Sequence, residues 1–268
     1  MGSPTPTLSR FTDAEIMICA AARMLEDRKT VFVGWGIPQV VALLAEKLYT
    51  PNLVQVFEFG AIGPQPLTPF VRGTMGGPSN IYRSLQWTNM NWAFSYAAAG
   101  YLDYGMIGAL QVDSYGNVNS TLLGGDYDRP GRRFPGSGGG NEVASLCWKT
   151  IVVLKHEPRR FVQHLDFMTS PGYLTAPGAR ERAGLPRGTG PYRVVTSQAL
   201  FGFDEATKQM LLLGVVKGLT KDQVIRGMGF QPMVAEQLEI LEPPTQEELR
   251  VLREDIDPAR MIIGRPAR

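Results

Sequence analysis

One pattern limits the fold more than any other: residues 30–59 hold two β-rich runs with a single helical period between them. Thr30-Val31-Phe32-Val33 is the first run, β-branched and aromatic as a buried strand should be. Gly34-Trp35-Gly36 breaks it. Pro38 suits the first turn of a helix, where a missing N–H costs nothing. Val41, Leu44, Ala45 and Leu48 then share one face of a helix over 38–48. Residues 53–59 form the second run, ending at Gly60. Strand, helix and strand within about 30 residues make a βαβ unit. Its right-handed crossover makes the two strands parallel. In open α/β sheets, ligand sites gather beyond the carboxyl ends of the strands.

The rest of the chain extends this pattern. Thr12-Asp13-Ala14-Glu15 has capping-box spacing, and Ile16, Cys19, Ala20 and Met24 follow at helical intervals, so a helix is expected over 12–26. Further strands are expected over 106–112, 150–154, 193–196 and 210–216. Residues 61–80, 124–142 and 170–191 read as long loops rich in Gly and Pro, which in compact domains are often functional. The tail from 219 reads as helical and charged. No internal repeat or linker-like shift in composition divides the 268 residues. The expectation is a loose tail over 1–10 and one domain over 11–268.

Composition excludes several functions. The hydrophobic share of 44% with 19% charged residues can build a core, and a net charge of +2 gives no reason to expect a nucleic acid or an anionic membrane surface as partner. The two cysteines, Cys19 and Cys147, cannot make a disulfide framework. With His156 and His164 the only histidines, a Cys/His zinc cluster is out of reach; an Asp/Glu/His site is left open by composition, no HExxH or EF-hand pattern is present, and metal-free chemistry is the expectation. No run approaches the roughly 18 apolar residues of a membrane span. MGSPTPTLSR is neither a secretory signal nor, with Pro6 at its sixth position, a myristoylation site. A cytoplasmic protein follows as the default.

Two features stand out against bland alternatives. Glu58 interrupts an apolar segment, Val54 to Phe59, near a strand's carboxyl end. A carboxylate there is costly unless paired, solvated or used. Gly34-Trp35-Gly36 followed about 20 residues later by Glu58 imitates a dinucleotide fingerprint, but Gln39 stands where the third glycine belongs. The run Gly136-Ser137-Gly138-Gly139-Gly140-Asn141 lets backbone amides approach a ligand, as a nest or oxyanion hole, and it runs into a helix start at Val143. It lacks the Gly-Lys-Ser/Thr ending of a P-loop. Gln111, Asn117 and Asn119 could orient a carboxylate, although turn chemistry explains asparagines in such contexts equally well. Arg132, Arg133, Arg159 and Arg160 read as a solvated face. Trp35, Trp87 and Trp92 read as core or interface, and His156 as a satisfied core histidine.

Taken together, four segments resemble the β subunits of glutaconate CoA-transferase and its relatives, the family I CoA-transferases. They are Val56-Phe57-Glu58-Phe59-Gly60, the stretch from Gly108 to Thr121, Phe134 to Asn141, and His156 to Phe161 with Thr169-Ser170-Pro171-Gly172 beyond. The resemblance implies an open, mainly parallel sheet with helices on both faces, of the CoA-transferase/NagB-like kind. It implies a homologous α subunit as partner, in an assembly of two α and two β subunits or larger. It also implies that coenzyme A thioesters are substrates, with no cofactor held permanently. The family's functional glutamate matches Glu58, and its glycine loop matches residues 136–141. Gly138, Gly139, Gly140, Asn141 and Gln111 are therefore expected around the acyl-CoA. The expected reaction moves CoA between carboxylic acids, a dicarboxylate or a related acid among them, by ping-pong chemistry through a glutamyl-CoA thioester. Two alternatives share the fold: hydrolysis or decarboxylation of a CoA ester, and non-catalytic metabolite sensing.

Overall fold

A computed structural model describes residues 10–69 and 75–265. The expected tail over 1–10 lies, except for Arg10, outside the described residues.

The βαβ unit forms as the sequence predicts. Strand β1 (Thr30–Val33) leads through helix α2 (Ile37–Leu48) to strand β2 (Val54–Val56), which pairs with β1 in parallel. Before it comes α1 (Asp13–Ala22), started by a complete capping box of Thr12 and Glu15. After it the chain runs β3 (Ala61–Ile62), β4 (Gln86–Trp87), α3 (Met90–Ala98), β5 (Tyr104–Gly108), β6 (Gln111–Val112), β7 (Val118–Asn119), β8 (Leu122–Gly125) and β9 (Pro130–Arg133). Then follow α4 (Gly140–Leu146), β10 (Lys149–Val153), α5 (Ala179–Arg182), β11 (Pro191–Val195), β12 (Ala199–Phe203) and β13 (Met210–Val216). The chain closes with α6 (Lys221–Arg226), β14 (Met233–Leu241), α7 (Gln246–Arg250) and a π-helical turn over Val251–Ile256.

Ten strands make one sheet in the order β14-β13-β12-β11-β10-β5-β1-β2-β3-β4. Its centre, β2 to β11, is parallel throughout; antiparallel pairs flank it at β2–β3–β4 and β11–β12–β13. Successive residues of β1 point to opposite faces. Val31 and Val33 pack with α1, α2 and the Val251–Ile256 turn, whereas Phe32 packs with Ala93 and Ala97 of α3 and Val143 and Ala144 of α4. Helices thus cover both faces, the expected open α/β architecture. No helix among the described residues is long and apolar enough to cross a membrane.

Three expectations need correction. The run expected as a strand over 53–59 stops at Val56, because the chain turns over Phe57 to Gly60 (Gly60 N–H to Phe57 C=O, 2.9 Å). Gly60 has φ +100°, and a Cβ there would stand 2.5 Å from the Thr88 backbone, so the turn requires glycine. The run over 106–112 splits: β5 ends at Gly108, while Gln111 and Val112 pair with Asn119 and Val118 in a separate hairpin. The tail from 219 is not continuously helical. Residues 233–241 form β14, a sheet-edge strand whose largely exposed residues leave no period-two burial to read.

Candidate active site

Strand order reverses at β1: the crossover through α2 leads to β2 on one side, and β5 lies on the other. Such a reversal opens a crevice beyond the strands' carboxyl ends. A cavity of ≈ 370 Å³ occupies it, bounded by Gly34 and Trp35 after β1, Ile107 and Gly108 at the end of β5, and Glu58 after β2. A Cβ on Gly34 would meet the Met106 carbonyl oxygen at 2.5 Å. The Gly34-Trp35-Gly36 signal thus serves close approach of neighbouring strand ends.

Glu58 sits in the tight Phe57–Gly60 turn, with Phe57 buried beneath it. Its carboxylate points at the glycine loop. A Cβ on Gly138 would lie 3.7 Å from Glu58 Oε1, and one on Gly139 3.4 Å from Cδ, so the loop backbone packs directly against the acid. Burial pushes the Glu58 carboxyl up, the Gly139 backbone amide donating to it pulls down by less, and Glu142 nearby pushes it up further. Among the described residues Glu58 makes no ion pair. The result is a carboxylate partly stripped of water and held by one amide.

The glycine loop is itself held. Ser120 donates through Oγ to the Gly136 carbonyl (2.9 Å) and accepts through its own carbonyl from the Gly136 amide (3.2 Å). Gly136 and Gly138 have φ of +89° and +47°. The Gly140 amide donates to the Ser137 carbonyl at 2.7 Å. Of the three amides expected to face substrate, Gly139 is therefore turned to Glu58 and Gly140 to Ser137. Gly138 makes no hydrogen bond among the described residues.

Gly138, Gly139 and Gly140 line the cavity, as expected; Gln111 and Asn141 do not. Gln111 is buried in the β6–β7 hairpin. Its Oε1 accepts from Asn119 Nδ2 (2.7 Å) and the Asp166 amide (3.2 Å), and its Nε2 donates to Asp166 (3.3 Å). Asn141 donates to the Thr169 carbonyl at 3.0 Å, fastening α4 beside Ser170. Both amides are committed to holding walls. Asn117 does turn chemistry, donating through its amide and Nδ2 to Asp113, and its Oδ1 also accepts from the distant Gly172 and Leu174 amides.

Sequence reasoning missed Ser120, Ser170 and Met75 in the cavity wall, and Phe94 of α3 behind it. Phe94 stacks on Phe32 (centroids 5.1 Å apart, 17°), and a Cβ on Gly139 would strike its ring at 2.5 Å. Gly139 thus makes room for the aromatic ring. A second opening of ≈ 560 Å³ reaches Glu58 from the α3 side, past Met90, Phe94 and Glu142. Sequence reasoning also missed Arg180, which is 1% exposed and donates to the Ala144 and Ser145 carbonyls (2.7 and 2.9 Å) and to Gly172 (2.9 Å). It ties α4, and so the glycine loop, to the segment carrying Ser170.

The bland readings fare as follows. His156 is buried between Thr196 Oγ1 (3.1 Å) and the Val224 carbonyl (2.9 Å), a satisfied core histidine. Arg159 and Arg160 share Glu157. Trp35, Trp87 and Trp92 are each at least half exposed, which removes them from this chain's core. No group of three or more His, Cys, Asp or Glu among the described residues is placed to hold a metal.

An open α/β sheet carries a half-buried acid that faces a glycine loop at its switch point, and comparison with known proteins names the family. Residues 14–227 match the coenzyme A transferase family model. The chain belongs to the coenzyme A transferase family. It is 34% identical over 264 residues to the B subunit of glutaconate CoA-transferase from Acidaminococcus fermentans, covering 96% of this chain and 97% of that one. It is also 34% identical to the B subunit of 3-oxoadipate CoA-transferase from Pseudomonas knackmussii, over 92% of this chain and 94% of the relative. The crystal structure of glutaconate coenzyme A-transferase from A. fermentans superposes with a TM-score of 0.87 at 33% identity, covering 95% of this chain and 98% of that one.

Proposed function

We propose that this chain is the β subunit of a cytoplasmic CoA-transferase that moves CoA between carboxylic acids through a glutamyl-CoA thioester on Glu58. The observation that carries the reading is the Glu58 carboxylate itself, at the switch-point cavity, faced by the Gly139 amide and raised by burial. The carboxylate attacks the thioester carbonyl of the donor acyl-CoA, and the CoA thiolate leaves, giving a mixed anhydride. The thiolate then attacks the glutamyl carbonyl of that anhydride and expels the donor acid as its carboxylate. An acceptor carboxylate reverses both steps and departs as its CoA ester, leaving Glu58 free. The division into acyl exchanges of similar difficulty gives ping-pong kinetics. The unengaged Gly138 amide is the donor best suited to the developing oxyanion, an interaction elsewhere worth roughly 2.7–4 kcal/mol.

The two relatives above are named for dicarboxylates, and each is one subunit of a larger enzyme. This supports a dicarboxylate or related acid as substrate and a homologous α subunit as partner. The test is intact-mass analysis of the chain, purified with that partner and mixed with acyl-CoAs. The expected result is a gain of one CoA less one water, removed by hydroxylamine and absent from Glu58→Ala. Thioester consumed while Glu58 stays unmodified would move the chain to the hydrolases or decarboxylases.

A further inference from the structure

Transfer through a glutamyl-CoA thioester develops charge on two different oxygens. Attack of Glu58 on the donor thioester puts the first oxyanion on the substrate's acyl carbon. Attack of the CoA thiolate on the anhydride puts the second on the glutamyl carbon. The two carbons are joined only through the anhydride oxygen, and each oxyanion is stabilised by a donor held about 2.7–3.1 Å from its own position. Among the described residues lining the Glu58 cavity none is cationic, so this chain meets both charges there with neutral donors.

Ser170 is such a donor, and its hydroxyl is uncommitted. The residue lines the cavity and is 2% exposed. Its backbone is fixed on both sides. The Ser170 amide donates to the Val118 carbonyl (3.0 Å), and the Val118 amide to the Ser170 carbonyl (2.9 Å). Asn141 holds the Thr169 carbonyl before it, and Arg180 donates to the Pro171 carbonyl after it (3.2 Å). The hydroxyl itself makes no hydrogen bond among the described residues. A buried hydroxyl without a partner is costly, and a ligand that takes its proton in a hydrogen bond removes the cost. The neighbouring hydroxyls differ: Ser120 donates to the Gly136 carbonyl, and Ser137 is exposed. Glu58 and Ser170 lie against the same glycines. A Cβ on Gly138 would stand 3.7 Å from Glu58 Oε1, and one on Gly140 3.5 Å from Ser170 Oγ. Two residues of chain span at most about 7 Å, so acid and hydroxyl share one wall.

We propose that the Ser170 hydroxyl donates to the acyl oxygen of the substrate, leaving the Gly138 amide to serve the glutamyl oxygen. This deepens the CoA-transfer reading and rests on it. As a Glu58 oxygen bonds to the thioester carbon, the carbonyl electron pair moves onto the oxygen that Ser170 holds. Its return expels the CoA thiolate. In the closing half-reaction the same hydroxyl holds the oxygen of the acceptor carboxylate that does not attack, and that oxygen becomes the carbonyl of the product thioester. Ser170 keeps its proton throughout.

The test uses the chain with its α partner, glutaconyl-CoA and 3-oxoadipyl-CoA as donors, and acetate as acceptor. Ser170→Ala should lower kcat/KM for donor and acceptor alike by about 100-fold, the scale of one lost oxyanion donor. Ser170→Thr, which keeps the hydroxyl, should recover part of that loss. The dissociation constant of free CoA, which has no acyl oxygen, should not change. The urea midpoint of Ser170→Ala should stay at or above that of the wild type, because no partner is orphaned. In Glu58→Gln, which holds the thioester without turning it over, the infrared stretch of the bound thioester carbonyl should lie lower than in the Glu58→Gln, Ser170→Ala double variant. Rates in Ser170→Ala within about threefold of the wild type, or a carbonyl stretch that the second substitution does not move, overturn the proposal. So does a loss of rate accompanied by weaker CoA binding and a lower urea midpoint, which would make Ser170 a prop for the loop. A wild type that forms no CoA adduct on Glu58 with either donor defeats the transfer reading, and this assignment with it.

Discussion

Glu248 and Glu58 are both carboxylates drawn out of water, and the molecule treats them in opposite ways. Glu248 closes the capping box of α7 and is fully buried. It accepts from Arg23 through Nε (2.7 Å) and Nη2 (2.5 Å), from the Tyr49 hydroxyl (2.6 Å) and from the Thr245 amide (2.6 Å). Burial pushes its carboxyl up, but Arg23, Thr245 and Tyr49 together outweigh that and hold it below the usual range. Glu15 repeats the device: it caps α1 and takes a two-point contact from Arg253 (2.6 and 2.9 Å). Glu58 has one amide, a like charge nearby and openings on two sides. Saturated hydrogen bonding makes an acid structural. Leaving its lone pairs uncommitted makes it available to attack.

Exchanging the two acids for neutral residues should break the molecule in different places. The largest effect expected is on chemistry: Glu58→Gln should cost about 10⁴-fold in transfer rate, the scale seen when a nucleophile is removed. Its urea midpoint should stay at or slightly above that of the wild type, since no partner is orphaned. A variant retaining a tenth of the activity would show that Glu58 is not the nucleophile. Glu248→Ala should do the reverse. It leaves the Arg23 guanidinium with only the Glu242 and Pro243 carbonyls as partners and should cost about 3 kcal/mol of stability, the low end for breaking a buried pair, read from urea unfolding, with transfer per folded molecule nearly intact. A loss below about 1 kcal/mol would mean that Arg23 and Tyr49 find water once the carboxylate is gone.

The sequence made one of these acids legible and hid the other. Glu58 stood out because an acid broke an apolar run at a strand end, and the loop because consecutive glycines let backbone amides approach a ligand. Glu248 reads only as an exposed helix-end residue, because its partners Arg23 and Tyr49 lie about two hundred positions away. The βαβ unit was readable for the same local reason: parallel strands bury both faces and leave continuous apolar runs. Helix α3 was not, because its buried residues are the small Ala93 and Ala97 while Trp92 faces outward, which inverts the usual pattern. Ser120 and Ser170 enter the site through long-range pairings, Ser120 with Gly136 and Ser170 with Val118, that no spacing encodes. Gln111 and Asn141 hold walls and do not line the cavity, and in one dimension a polar residue that holds a wall looks like one that faces the substrate.

The smallest effect, and the finest contrast, lies in pH. Glu58 has a folded-state affinity for protons above that of the unfolded chain, so its ionisation opposes folding above its raised value. Glu248 has the opposite shift, so its ionisation supports folding fully above the ordinary value of 4.5 and ceases to do so as pH falls through its lowered one. The stability of Glu58→Gln relative to wild type should therefore be a small gain at neutral pH that fades as pH falls through the raised Glu58 value. The stability of Glu248→Gln should be a loss that persists to lower pH and fades only below 4.5. Wild-type kcat/KM should fall over the same window in which the Glu58→Gln gain fades, because the protonated acid cannot attack. Urea midpoints and rates measured across that range decide the matter. If the acid limb of activity tracks the Glu248 window instead, unfolding rather than protonation of the nucleophile sets it, and the contrast between the two acids collapses.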